Sequence, residues 1–121
     1  MSILGIRWSA EEMREVGFAA IDDGGGTFVP VGLPLENPAI QLYFLNATDT
    51  FIFVSFNGED DHIPMPAGTN FFVDIGTNRT DQSGCLLAPV GRQISVAYAA
   101  TPPTTGNFFV SAFYAAPPES I

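Results

Sequence analysis

The chain has 121 residues, enough for one domain, and is 46% hydrophobic with 12 Gly, 10 Pro and only 14% charged residues. Its four cations are all Arg, set against 13 carboxylates for a formal net charge of -9. The apolar content excludes chain-wide disorder, the breakers exclude a long helical bundle, and four scattered Arg make nucleic acid a poor partner.

One Cys, Cys85, cannot close an internal disulfide. Residues 1–8 carry neither a basic segment nor the apolar run of a signal peptide, and no stretch approaches a membrane span. These features predict synthesis and folding in a cytosol, with no membrane partner. So little charge on so apolar a chain leaves surface to be covered, which predicts an oligomer or a place in a larger assembly. A monomer with an acidic face and a full core is the competing reading.

Residues 1–38 read as an N-terminal arm with a short helix, packed on or exchanged with neighbours; 39–121 read as a β-sandwich. Ser9 and Glu12 have capping-box spacing, with Trp8 and Met13 in staple positions, which predicts a helix over 10–16 stopped by Gly17. Gly24, Gly25 and Gly26 form a loop, and the segment 32–38 with its two Pro is extended or turning. Strands are expected at 40–46, 51–56, 62–66, 69–75, 85–88, 93–99 and 107–115, with Asn57-Gly58 as a hairpin turn signal. The fold class is all-β, a single antiparallel β-sandwich of jelly-roll type. In 93–99, Ile94, Val96 and Tyr98 alternate with Gln93, Ser95 and Ala97, predicting one buried and one wet face. The run 51–56 is apolar on both faces, so a second layer covers it, either another subunit or a loop such as 1–38.

Catalytic equipment is sparse. Without Lys there is neither a Schiff-base nucleophile nor a P-loop, and no motif supports Cys85 and His62 as nucleophile and base. The chain reads as no enzyme, with no cofactor; a small hydrolase built on His62 and Asp61 is the weakest reading. Zinc is not expected, and Glu59, Asp60 and Asp61 in the acidic tip 57–62 are weak candidates for a hard cation such as Ca²⁺. His62 reads as a residue that caps or packs at a strand start. Asn46-Ala-Thr48 and Asn78-Arg-Thr80 fit a glycosylation pattern, but Asn and Thr there are expected to shape turns through side-chain-to-backbone bonds. Asp74 falls inside an apolar strand and calls for hydrogen bonds or an Arg, with Arg79 or Arg92 as candidates.

Val31-Gly-Leu-Pro-Leu-Glu-Asn-Pro38, Leu45-Asn-Ala-Thr-Asp49, Val54-Ser-Phe-Asn-Gly58 and Asp61-His62 form a pattern of turns between apolar strands. Pro66-Ala-Gly68, Phe72-Val-Asp-Ile-Gly-Thr-Asn-Arg79 and Thr104-Thr-Gly-Asn-Phe-Phe-Val-Ser111 continue it. Over residues 31–115 the chain resembles small virion proteins of tailed bacteriophages. The resemblance implies a structural part of a phage particle: a capsid cement (decoration) protein, or a neck or tail accessory protein. It implies partners in the major capsid protein and in itself, as a homotrimer on the outer surface of the capsid. The negative charge suits the outside of a DNA-filled shell. Apolar candidates for such interfaces are Trp8, Phe28, Phe51, Phe53, Phe56, Phe71 and Phe108, and the segments 1–8, 22–30 and 116–121 are candidate contact arms. A rival reading is a carbohydrate-binding module using Trp8, Tyr43 and the 57–62 loop.

Overall fold

The computed structural model describes residues 7–74 and 89–116. The strand expected at 85–88, Cys85, and the Asn78, Arg79 and Thr80 turn lie outside them. The chain is all-β, with nine strands and one short helix among the described residues. In chain order they are β1 (Arg7–Ala10), β2 (Arg14–Gly17), α1 (Phe18–Asp23), β3 (Val29–Pro30), β4 (Ala39–Asn46), β5 (Ile52–Ser55), β6 (Ile63–Met65), β7 (Asn70–Asp74), β8 (Ser95–Tyr98) and β9 (Asn107–Ala116).

Two antiparallel sheets result. Sheet A has the order β1-β9-β4-β7, with β2 also pairing β9; sheet B has the order β3-β8-β5-β6. β1 pairs with the far end of β9 through Ala10↔Phe113, and β2 with its near end through Arg14↔Val110. Together they act as one edge strand interrupted at residues 11–13, where the Glu11 N–H still donates to the Ala112 carbonyl at 3.0 Å.

Both sheets feed one core. Leu42, Phe44, Phe108 and Val110 from sheet A meet Ile52, Val54, Met65 and Val96 from sheet B, and the Phe44 and Phe56 rings meet edge-on at 6.1 Å. Residues 7–38 supply Val16, Ile21, Val31 and Leu35 to this same core, so the described part of the expected arm is built into the body of its own chain.

The helix expected over 10–16 does not form; that stretch is strand and bulge, and the helix starts after Gly17. The capping box loses because Arg14 and Val16 alternate with exposed Glu15 and complete β9's open edge, which satisfies more backbone groups than two isolated helical turns. Glu12 does not reach back to Ser9, and Glu11 turns instead to Arg14. The wet face expected on 93–99 is also corrected. Ser95 and Ala97 are buried, because both are small and Ala97 pairs directly with the bulky Phe53.

One end of the molecule is held by a buried amide. Asn46 closes β4 with its side chain wholly inside, its Nδ2 donating to the carbonyls of Thr50 at 3.0 Å, Met65 at 2.8 Å and Pro66 at 3.2 Å. Its Oδ1 accepts from the Thr48 N–H at 3.1 Å and the Thr48 hydroxyl at 2.6 Å. The turn-shaping role expected of Asn46 and Thr48 is thus met. The crossover 99–106 joins the same end: the Thr50 hydroxyl donates to the Thr101 carbonyl at 2.7 Å, and the Thr104 N–H donates to Asp49 at 2.8 Å. Gly106, at a φ of 89°, lies so close that an added Cβ would stand 2.0 Å from the Ala47 carbonyl oxygen.

Replacing Asn46 by Ala removes the amide donor from the Thr50 and Met65 carbonyls, while the Pro66 carbonyl keeps its bonds from Thr69. At about 1–3 kcal/mol for a buried group left unpaired, N46A is expected to lose about 2–3 kcal/mol, and G106A a comparable amount through strain and collision. Urea denaturation of each variant against the parent measures both losses.

Candidate functional site

The described residues bring together three features worth weighing as sites: a polar clasp around Arg14, an acidic hairpin tip, and an aromatic sheet face. The clasp follows from the interrupted edge strand. Arg14 points inward from β2 and is only 8% exposed. Its Nε donates to the Leu33 carbonyl at 2.7 Å, its Nη1 to the Glu12 carbonyl at 3.2 Å, and its Nη2 to the Pro34 carbonyl at 3.0 Å and Glu11 Oε1 at 2.7 Å. Glu11 in turn accepts from the Asn37 N–H at 2.7 Å, Asn37 Nδ2 at 3.0 Å and the Glu36 N–H at 3.3 Å. Gly32 permits the approach, since a Cβ there would stand 2.7 Å from Arg14 Cγ. The clasp thus ties the edge of sheet A to loop 31–38, whose Val31 and Leu35 N–H groups bond to the carbonyls of Ile94 and Arg92.

Burial disfavours the Glu11 carboxylate, but the bonds from Asn37, Arg14 and the Glu36 and Asn37 backbone outweigh it and hold its carboxyl below the usual range. A groove of about 260 Å³ over the clasp is lined by Glu12, Met13, Glu15, Leu33 and Glu36. Arg14 spends its donors inward, so the clasp is structural and offers no anion site. At the other end, Asp49 is likewise held below the usual range, chiefly by the Thr104 hydroxyl.

The acidic tip lies in the loop between β5 and β6. Asn57 Oδ1 accepts from the N–H groups of Glu59 at 2.8 Å and Asp60 at 2.9 Å, and its Nδ2 donates to Asp60 Oδ2 at 2.8 Å. His62 closes the loop: its Nδ1 accepts from the Phe56 N–H at 3.0 Å, and its ring rests 5.7 Å from the Phe56 ring. That fits the capping role expected for it. Among the described residues no three of His, Cys, Asp and Glu converge on an ion position. Of the weak candidates, Glu59, Asp60 and Asp61 are exposed, and Asp60 is turned to Asn57.

The aromatic face is the outer side of sheet A. Leu42, Phe44, Phe108, Val110 and Ala112 point into the core, so their alternates Tyr43, Leu45, Phe109 and Phe113 face outward, half-buried. Register joins them across strands: Leu45 opposite Phe109, Tyr43 opposite Ser111 and Phe72. Phe72, on the edge strand β7, is 52% exposed.

The expected interface residues divide. Phe108 is fully buried and Phe56 is 6% exposed, so both rings belong to the core and neither can be shared; inward register decides this. Phe71 stays 43% exposed while stacking on Phe44 at 6.4 Å, Phe51 and Phe53 pack on each other at 5.3 Å outside sheet B, and Phe28 is half-buried. The side chain of Trp8 lies outside the described residues. Tyr43 stands on sheet A while the 57–62 loop belongs to sheet B, so no single element presents the expected sugar platform. Asp74 sits exposed at the end of β7, and Arg92 Nη1 donates to the Phe56 carbonyl at 3.0 Å. Tyr43, Leu45, Phe109 and Phe113 were missed as a face. The two-faced pattern that marked 51–56 also runs through 41–45 and 108–113, and would have found them.

Compared with known proteins, the chain matches no family model, no curated protein and no solved structure.

Stability carried by Glu11 should be fully present above its ordinary carboxyl value of 4.5 and be lost as pH falls through its lowered folded value. E11Q is expected to flatten the acid limb of a stability-against-pH curve. R14A, which removes the cation from the buried Glu11 and the donor to the Leu33 and Pro34 carbonyls, should cost about 3–5 kcal/mol near neutral pH. Thermal melts across the pH range check both.

Proposed function

We propose that the protein is a structural subunit of a larger assembly, specifically a capsid cement (decoration) protein of tailed-phage type that docks on the outer shell as a homotrimer. The observation that carries the reading is the outward side of sheet A, where Tyr43, Leu45, Phe72, Phe109 and Phe113 gather around Ser111 on a chain with few charges. A monomer rarely leaves such a face wet, whereas a subunit that adds buried area to a shell needs it.

A jelly-roll sandwich is part of the same proposal. With β1 and β2 taken as one interrupted strand, the two sheets read first-eighth-third-sixth and second-seventh-fourth-fifth, the order produced by nested Greek keys. The resemblance in residues 31–115 supports the assignment to a virion. Physically, a few hundred Å² of apolar contact at about 25 cal/mol/Å² supplies several kcal/mol per subunit before association costs. Multiplied over a shell, that opposes the outward pressure of packaged DNA. The charge of -9 discourages residence among that DNA.

Two measurements test the reading. Sedimentation of the purified chain should report a trimer, and F72E and F109E, which alter only outward positions, should shift it to monomer without unfolding it. Particles lacking the protein should lose infectivity faster on heating and regain stability when it is added back, in tens to hundreds of copies. A copy number matching a neck or tail ring would overturn the shell assignment in favour of the accessory one.

A further inference from the structure

The hairpin tip joins a reactive dipeptide to a set of bonds that restrain it. Asn57 is followed by Gly58, whose lack of a side chain leaves its backbone nitrogen open to attack the preceding amide. Once that nitrogen gives its proton to solvent hydroxide, it can bond to Asn57 Cγ. The Cγ–Nδ2 bond then breaks as Nδ2 takes a proton from water and leaves as ammonia, and a second water opens the resulting succinimide to aspartate or isoaspartate. Both residues are exposed, so solvent reaches them.

The fold engages every reacting group. The Gly58 N–H donates to Ser55 Oγ at 2.8 Å, and the Ser55 hydroxyl donates to Asn57 Oδ1 at 3.0 Å. Glu59 and Asp60 N–H groups hold the same Oδ1 at 2.8 and 2.9 Å, and Asp60 Oδ2 holds the leaving nitrogen at 2.8 Å. Ser55 is itself wholly buried on β5 opposite Ser95. Ring closure requires the amide to turn towards the Gly58 nitrogen, which breaks the bonds to Glu59 and Asp60 and frees the proton held by Ser55. The adjoining carboxylates of Glu59, Asp60 and Asp61 further disfavour an anionic nitrogen.

We propose that Asn57-Gly58 is a conformationally gated deamidation site, closed by Ser55 and Asp60 in the folded hairpin and released when the hairpin opens. Reaction would replace the Asn57 Nδ2 donor, 2.8 Å from Asp60, by a carboxylate oxygen. An attraction becomes a repulsion, and an isoaspartate would also lengthen the main chain through the turn. The change is therefore self-reinforcing: a modified hairpin cannot close as before.

The test is mass spectrometry of the intact chain and its 55–62 peptide during incubation at neutral pH, native and in urea. Since several hydrogen bonds must open together, the native rate should be roughly a hundredfold below the unfolded rate. S55A should recover most of that difference, and D60N, which changes only an exposed contact, a smaller part. Equal native and unfolded rates would overturn the proposal, as would a folded S55A with the parent's rate. Should S55A fail to fold, exchange of the Gly58 amide hydrogen in the parent decides together with D60N. Slow exchange with acceleration in D60N supports the gate; fast exchange, or no acceleration, overturns it.

Discussion

The buried amide of Asn46 is the constraint on which the architecture depends. β4 to β5 and β6 to β7 cross between the sheets at one end, and carbonyls of both crossovers turn towards the Asn46 amide. One planar group with two donors and one acceptor meets the carbonyls of Thr50, Met65 and Pro66 together with the Thr48 N–H and hydroxyl. An apolar residue of equal size would fill the volume and strand the carbonyls. An aspartate would oppose oxygen to oxygen. The β8-to-β9 crossover then packs onto this hub through Thr101 and Thr104, and Gly106 makes the approach possible by having no Cβ. The first residue of α1 joins as well, its Phe18 N–H donating to the Gly106 carbonyl at 3.0 Å.

The Arg14 clasp is the second restraint, and it differs in kind. The Asn46 amide carries no charge, whereas the clasp holds an ion pair whose members are both largely buried. Its value lies less in Coulomb attraction than in completeness: Arg14 serves three carbonyls and one carboxylate, and Glu11 is served by three further donors. Two polar networks therefore fix the sheets' relation while the apolar core fills the space between them. With the inward needs met, Tyr43, Leu45, Phe72, Phe109 and Phe113 are left on the outer side of sheet A.

Most strands from residue 39 onward were legible because period-2 patterns and turn residues act locally. Asn46 and Thr48, read as turn formers, proved to be so because side-chain bonds to nearby backbone are also local. The N-terminal helix failed for the opposite reason. Ser9 and Glu12 satisfy a local capping rule, but β9's unpaired edge is a partner about a hundred residues away, and pairing with it settles the conformation of 7–17. Counting aromatics could not sort them either: Phe108 and Phe109 are neighbours, yet one is core and the other outward.

What the sequence determined by itself is therefore the all-β class, the turn positions, the lack of recognisable catalytic motifs and the apolar surplus. All of these depend on composition or on neighbours a few residues apart. The tertiary structure alone decided which Phe rings are consumed by the core, that Arg14 turns inward to clasp loop 31–38, and that Tyr43, Leu45, Phe72, Phe109 and Phe113 come together on the outside of sheet A. Those outcomes depend on strand order and register, set by pairings between residues far apart in the chain, where a shift of one residue turns every side chain to the other face.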